Sequence, residues 1–439
     1  MKVDLSAYAT PGRYKKYLED IVYSNSFKRL AHKSQVIIKP TRDHFRSRLI
    51  HTEEVNQIAL SLGTELGLNN ELVSAIAMAH DLGHTPFGHA GERTLQNIIK
   101  RELAARFGLN LKDDRSIFHH SSNSARILLK ELDKIPSEII DGVLKHSWSP
   151  WKEKQSPTDI PITYEGQVVA VADQIASINH DTEDIIEGAT YTNYDCNRFR
   201  QCIVIEFKEK HPKIYESMEK DINTFIEDKT IHPGYGRENR VEVFIQQIVN
   251  ETGKHSGDND IKGSPRALKH PIAITDPWSK FLNFYELFIR ESIIQKESWF
   301  IGRDAMAEAL VSTVFNHIWP NFRKGWSQVR MELYPKEEIA KSKTKPISKY
   351  LEHFLDFYQD HYRNDKSHKD YYQEYFVKAK NSGIWDINIM NAFSKKSKKE
   401  KTENYEPLSN LISVIDFITG LTDRYCLEIF DNVYHDFII

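Results

Sequence analysis

Apolar residues recur along this chain at the spacing of a helix face, and that periodicity limits what it can fold into. Leu18, Ile21 and Val22 form one stripe, Val55, Ile58, Ala59 and Leu62 a second, and Leu72, Ala75, Ile76 and Ala79 a third. Residues three or four apart share one side of an α-helix, so each stripe is a face that must pack against another element. Only 19 glycines and 16 prolines interrupt 439 residues, which leaves room for long helices. The expected fold class is all-α. A long helix is expected from about Tyr164 to Glu187 and a final apolar one from about Leu408 to Phe430. After the third stripe, Gly83 to Gly91 breaks the periodicity with three glycines and a proline and reads as a polar loop between helices. Trp148 to Pro161 reads as a connection, Asn250 to Ser264 as an exposed loop, and Lys395 to Lys401, with six charges in seven residues, as a surface segment.

Composition excludes several classes. The 59 Lys and Arg balance 62 Asp and Glu, a net charge of −3 that fits neither a basic nucleic-acid coat nor an acidic tail. Cys196, Cys202 and Cys426 form no Cys-x-x-Cys pair, so neither a disulfide scaffold nor a cysteine zinc site is supported, and a reducing cytoplasm is expected. The first residues lack an apolar signal core, and no uncharged run approaches the ~20 residues that span a bilayer.

Histidine is the outlier. His80, His84 and His89 fall within ten residues, His119 and His120 follow, and His51 opens the second helical stripe. Imidazole and carboxylate both ligate divalent metals, so His80 and Asp81, adjacent at a helix end, can reach one ion lying off that end. Asp173 sits in the apolar run Val168 to Ala176, where an ionised carboxylate is costly without a cation. Ser177, Asp181 and Asp184 continue its face as a polar stripe. Singly, each of these residues is more often a hydrogen-bonded core group than a ligand.

Together, His51, His80-Asp81 and Asp173 resemble the His…His-Asp…Asp signature of HD-domain phosphohydrolases. The stretch His80-Asp-Leu-Gly-His-Thr-Pro-Phe-Gly-His-Ala-Gly-Glu92 is similar to the deoxyguanosine triphosphate triphosphohydrolase (dGTPase) family. Ser26 to Val36, Arg48 to His51, Glu165 to Val169, Ile178 to Asp181 and Asp416 to Tyr425 agree with it. The similarity covers about residues 12 to 190 and part of the last forty; residues 195 to 400 match only loosely.

The resemblance implies an HD-domain helical core over residues 1–190. A helical C-terminal region over 191–439 would complete the active site and the oligomer contacts. It implies hydrolysis of a deoxynucleoside triphosphate (dNTP) to deoxynucleoside and tripolyphosphate, with water attacking the α-phosphorus. His51, His80, Asp81 and Asp173 would hold manganese, magnesium or cobalt. His89 and Glu92 would be the catalytic pair, Glu92 orienting the imidazole. His84 and His120 would face the triphosphate, Gln35 and Asp181 the sugar 3′-hydroxyl, and Arg48 the base or α-phosphate; His119 reads as a bystander. Ser177 stands where relatives commonly carry Tyr, which leaves base preference open between dGTP and several dNTPs. A homo-oligomer with a dNTP activator at a second site is also implied.

Two other readings compete. One keeps the metal site but changes the substrate to a nucleoside monophosphate, a cyclic nucleotide or an alarmone. The other is an idle nucleotide sensor or a binder of single-stranded nucleic acid. That reading leans on Trp319 to Trp326, Arg330 and Tyr334, aromatics amid basic residues that serve core packing equally well.

Overall fold

A computed structural model describes residues 12–34, 47–110, 117–132, 134–152, 155–192, 196–226, 237–255, 271–294, 298–322, 389, 396 and 398–438. Among them every extended element is a helix, apart from one antiparallel bridge between Ser34 and Ser47. The described residues include α1 (Lys15–Tyr23) and the short α2 (Asn25–Arg29), then α3 (Arg48–Glu65), α4 (Asn70–Ala79) and α5 (Gly88–Phe107). After α6 (His120–Glu131) and α7 (Ser137–Leu144) comes α8 (Tyr164–Thr192).

Helix α4 lies at the centre and packs on α1, α3, α7 and α8. Its residues Leu72 to Ala79 are buried on every side, not along one stripe, as expected for a helix enclosed by neighbours. Leu72, Val73, Ile76 and Met78 each contribute about 1.5–3 kcal/mol of burial there. Asn69 starts the helix by accepting from the backbone N–H groups of Glu71 (3.1 Å) and Leu72 (3.2 Å). Its C-terminal end therefore delivers His80 and Asp81 into a fixed, buried position.

A second set, α9 (Cys196–Lys210), α10 (Pro212–Ile226), α11 (Arg237–His255) and α12 (Asp276–Ile289), is joined by aromatic packing, with Phe281 edge-on to Phe207 and Phe225. Tyr285 of α12 shares a 2.8 Å hydrogen bond with Thr182 of α8, tying this set to the central helices. Helix α13 (Ser298–Phe322) lies against α5 and against the last two helices, α14 (Lys398–Gly420) and α15 (Asp423–Ile438). Trp319 is buried and donates its indole N–H to Glu102 at 2.8 Å, so this aromatic serves packing. Arg330, Tyr334 and the rest of that basic segment beyond Phe322 lie outside the described residues. No described helix is long and apolar enough to cross a membrane.

Three sequence expectations change. The polar loop is shorter than Gly83 to Gly91 because α5 begins at Gly88. Gly91 marks a close approach and not a break: a Cβ there would lie 2.0 Å from the Pro86 carbonyl oxygen. Residues 250–255 continue α11, with buried Thr252 accepting from Ala273 N–H at 3.3 Å; residues 256–264 lie outside the described set. The final apolar segment is two helices, interrupted after Gly420, with Thr422 Oγ1 accepting from Tyr425 N–H at 3.2 Å at the restart. Lys398 to Lys401 of the charged segment are already helical.

Candidate active site

Three helices meet at one buried point. Ser47 caps α3, whose first turn carries Arg48 and His51. His80 and Asp81 leave the end of α4, and Asp173 projects from the middle of α8. His51 Nε2 lies 3.0 Å from Asp173 Oδ1 and 3.8 Å from Asp81 Oδ2. His80 Nε2 lies 3.5 Å from Asp81 Oδ1 and 3.7 Å from Asp173 Oδ1.

The hydrogen bonds fix which nitrogens face inward. His80 Nδ1 is 2.7 Å from the Ala77 carbonyl, which only accepts, so Nδ1 carries the proton and Nε2 a lone pair. His180 donates from Nε2 to Glu54, which leaves its Nδ1 to accept from His51 Nδ1–H at 3.1 Å. The Glu54–His180–His51 chain thus turns a second lone pair, on His51 Nε2, toward the carboxylates. His80 Nε2 is buried and has no hydrogen-bond partner. Two imidazole lone pairs and two carboxylates converging within 4 Å suit a divalent cation and little else. Every one of those separations is at or below about 4.2 Å, the span of two ligands ~2.1 Å from one ion.

Asp81 is also held by Arg48 and His84. Arg48 Nη1 donates to its Oδ2 at 2.6 Å, and His84 Nε2 lies 3.0 Å from its Oδ1. Burial alone would raise the Asp81 pKa, but His84, His80 and Arg48 hold it well below the usual carboxylate range. Asp173 is likewise lowered against burial, by His51 and His80. Arg48 is 1% exposed, and its Nε and Nη2 have no partner, so the guanidinium has donors to spare.

Beyond Asp81 stands a wall of imidazoles. His84 and His120 stack with centroids 3.9 Å apart, and His89 meets both edge-on at 5.2 and 5.4 Å. Burial pushes His84 and His120 well below their ordinary pKa. His89, in the first turn of α5, has its outer edge exposed while the walls withdraw water from its inner face and lower its pKa.

The expected orientation of His89 by Glu92 is not what the structure contains. Glu92 Oε2 instead lies 2.8 Å from His120 Nδ1 and accepts the His120 backbone N–H at 3.3 Å. Glu92 is buried and points at the N-terminus of α6, where free N–H groups and the helix dipole attract a carboxylate more than an exposed imidazole does. His119 caps α6, its Nδ1 accepting from Ser121 N–H at 3.3 Å.

The loop between α4 and α5 is clamped from afar. Lys33 is 2% exposed and donates from Nζ to the carbonyls of His84 (2.5 Å) and Thr419 (2.8 Å). Asp423 accepts from Phe87 N–H (2.9 Å), Ser34 N–H (2.8 Å) and Ser34 Oγ–H. The first of these holds Phe87 at φ +64°, a left-handed conformation that a bulky residue adopts only when its surroundings impose it. Gly83 is pressed against α6, where a Cβ would sit 2.2 Å from Ser124 N.

Of the residues proposed from sequence, the structure gathers His51, His80, Asp81, Asp173, Arg48, His84, His89, Glu92 and His120. Ser177 and Asp181 lie half-buried on α8 beyond Asp173. Gln35 and the side chain of Asp184 lie outside the described residues. Sequence reasoning missed His146, His180 and Glu54, isolated in the sequence with no spacing to mark them. A separate cavity of about 880 Å³ lies between α1, α6 and α14. Its lining charges satisfy one another: Lys130 and both Arg126 Nη atoms bind Asp416.

Residues 48–178 match the family model of the HD domain. That span begins at Arg48 and ends five residues past Asp173, and it encloses the whole ligand cluster. The chain is also similar to proteins named deoxyguanosinetriphosphate triphosphohydrolase-like protein. One from Caldanaerobacter subterraneus subsp. tengcongensis is 39% identical over 207 residues, 46% of this chain and 53% of that protein. One from Clostridium tetani is 34% identical over 238 residues, 52% and 61% of the two chains. One from Bartonella tribocorum is 28% identical over 388 residues, 80% and 86%. In the first two, the chain spans little more than half the relative's length.

Proposed function

We propose that the protein is a metal-dependent phosphohydrolase that cleaves dNTPs, dGTP or several of them, to deoxynucleoside and tripolyphosphate. The observation that carries this is the pair of inward lone pairs, on His51 and His80, facing Asp81 and Asp173 beside the spare donors of Arg48. A divalent ion bound there supplies the positive charge that polarises a phosphoryl oxygen and activates water. The donor set fits manganese or iron as well as magnesium or cobalt.

The chain's own groups supply the rest. Arg48 is placed to donate from Nε and Nη2 to a phosphate of a highly anionic substrate. His84, whose Nδ1 is buried and unpartnered, offers one further polar contact in the same wall. His89, whose pKa desolvation lowers, is placed to take a proton from the attacking water and pass it to the departing 5′-oxygen. Lys33 and Asp423 hold the loop that presents His84 and leads into His89. Ser177, with its small side chain on the Asp173 helix, removes a bulky selector from the proposed sugar wall, and Asp181 lies one turn further on. A homo-oligomeric cytoplasmic enzyme with a second-site dNTP activator rests on the family resemblance.

The test is incubation of the full chain with each dNTP, singly and mixed, and with GTP, in manganese or magnesium, and separation of products by ion exchange. Tripolyphosphate with deoxynucleoside is expected. Release of pyrophosphate or orthophosphate, or turnover only of monophosphates, cyclic nucleotides or alarmones, would overturn the substrate.

A further inference from the structure

We propose that Lys152, held by Gln174 beside Asp173, is a substrate-binding residue that takes the outer phosphates of a nucleotide and makes the site selective for polyphosphate chains. The inference rests on the reading of the site as a phosphohydrolase centre, and its test separates the two.

The buried cluster meets solvent on one side. Of the residues gathered there, only His89 is exposed and only Asp173 is half-buried, so a ligand reaches the others between these two. Helix α8 borders that opening. Asp173, Gln174, Ser177 and Asp181 are half-buried along it, whereas Ile175, Ala176 and Ile178 are buried on its inner side. Adjacent residues of a helix point about 100° apart, so Gln174 stands next to Asp173 on the rim.

Lys152 is fixed at that rim. Its neighbour Trp151 is buried and donates its indole N–H to Glu286 Oε1 of α12 at 3.1 Å, which anchors this stretch of the connection after α7. Lys152 Nζ donates to Gln174 Oε1 at 2.7 Å. An ammonium only donates, so the amide oxygen of Gln174 and not its nitrogen faces the lysine. Glu286 Oε2 lies 3.7 Å from Nζ, beyond hydrogen-bonding distance. An ammonium has three donors, so two remain for a ligand. The other lysine of this region is committed: Lys145 binds Asp141 at 2.7 Å and the Ile160 carbonyl at 3.2 Å.

Charge balance points to the ligand. A divalent ion and Arg48 are positive and Asp81 and Asp173 negative, which leaves the cluster a net charge of about +1. Burial lowers the pKa of His84, His89 and His120, so the imidazole wall adds little. A terminal phosphate carries a charge of about −1.5 to −2 at pH 7, and each further phosphate of a chain adds to it, so a triphosphate far exceeds what the cluster balances. A single phosphate does not. Lys152 supplies a further cation one side chain outward from Asp173, where the outer phosphates leave the cluster. It gives up only the loose pairing with Glu286 to do so. A compact charge on a flexible stem can follow a phosphate without the fixed fork of an arginine.

The test uses the full-length chain in excess Mn²⁺, titrated calorimetrically with inorganic tripolyphosphate and, separately, with orthophosphate, while kcat and KM are measured for the dNTP it turns over. Lys152→Gln should weaken tripolyphosphate binding about 10- to 100-fold, the worth of a hydrogen bond to a charged group, and leave orthophosphate binding unchanged. Its KM should rise while kcat holds. Lys152→Arg should restore most of the affinity. Glu286→Gln removes the competing charge, keeps an acceptor for Trp151, and should tighten tripolyphosphate binding. Native protein without affinity for tripolyphosphate, unchanged affinity in Lys152→Gln, or equal losses for both phosphates would each overturn the proposal. Turnover of dNTPs with KM unchanged in Lys152→Gln would overturn Lys152 alone. Tripolyphosphate binding that is lost in Lys152→Gln, in a protein that turns over no dNTP, would overturn the substrate and keep the site. The Glu286→Gln arm moves affinity upward, which a misfolded variant cannot imitate.

Discussion

Lys33 offers a sharp test of how the C-terminal helices hold the candidate site. It is buried, and desolvation lowers its pKa from 10.5 to about 7, against the attraction of Asp423 and Asp81. The folded state then binds fewer protons than the unfolded chain between pH 7 and 10.5. Because unfolding takes up the missing proton, this group makes stability rise with pH across that window, and the contribution is absent below it. The slope is about 1.4 kcal/mol per pH unit, which gives about 2–3 kcal/mol between pH 7.5 and 9.5. Lys33→Met removes the titration and keeps the volume, at the cost of leaving the His84 and Thr419 carbonyls without their shared donor. That loss is about 1–3 kcal/mol for each buried acceptor left unpaired. Urea denaturation of native and Lys33→Met protein at stepped pH cancels every other titrating group in the difference. The native advantage should widen as pH rises. A difference that stays flat from pH 7.5 to 9.5 would show that Lys33 is not desolvated as the structure requires.

Three further outcomes follow from the same geometry. Asp173→Ala and Asp81→Ala should each abolish metal-dependent turnover and lower bound manganese in folded protein, measured by elemental analysis; near-normal values would remove them from the site. His89→Ala should retain nucleotide binding while turnover falls ~10²–10⁴-fold, the usual worth of a positioned proton-transfer group, and weakened binding with unchanged turnover would recast His89 as a substrate ligand. Gly83→Ala forces a Cβ to within 2.2 Å of the Ser124 backbone nitrogen, so a loss of about 1–3 kcal/mol or more is expected in thermal unfolding.

Much of the site was legible in the chain because its parts are local. His80 to Glu92 carries one ligand pair, the imidazoles and the glycines within thirteen residues, and Asp173 stands out as a charge in an apolar run. Helical periodicity was equally plain, since stripes such as Val55 to Leu62 depend only on spacing. Partner choice was not. Glu92 lies three residues from His89, yet its carboxylate goes to His120, twenty-eight residues on, because burial brings the N-terminus of α6 to it. His146 and His180 look like any solitary histidine until α7 and α8 place them against His120 and His51.

The sequence by itself therefore determined an all-helical chain, because residue type and short-range spacing suffice for that, and it nominated His51, His80, Asp81 and Asp173 as candidate ligands through their resemblance to a known signature. Only the tertiary structure decided which nitrogen of each histidine faces inward and what holds the loop. Those depend on hydrogen bonds across 129 residues from His51 to His180, and 386 from Lys33 to Thr419. Orientation comes from partners that only packing brings within reach, and no local pattern encodes them.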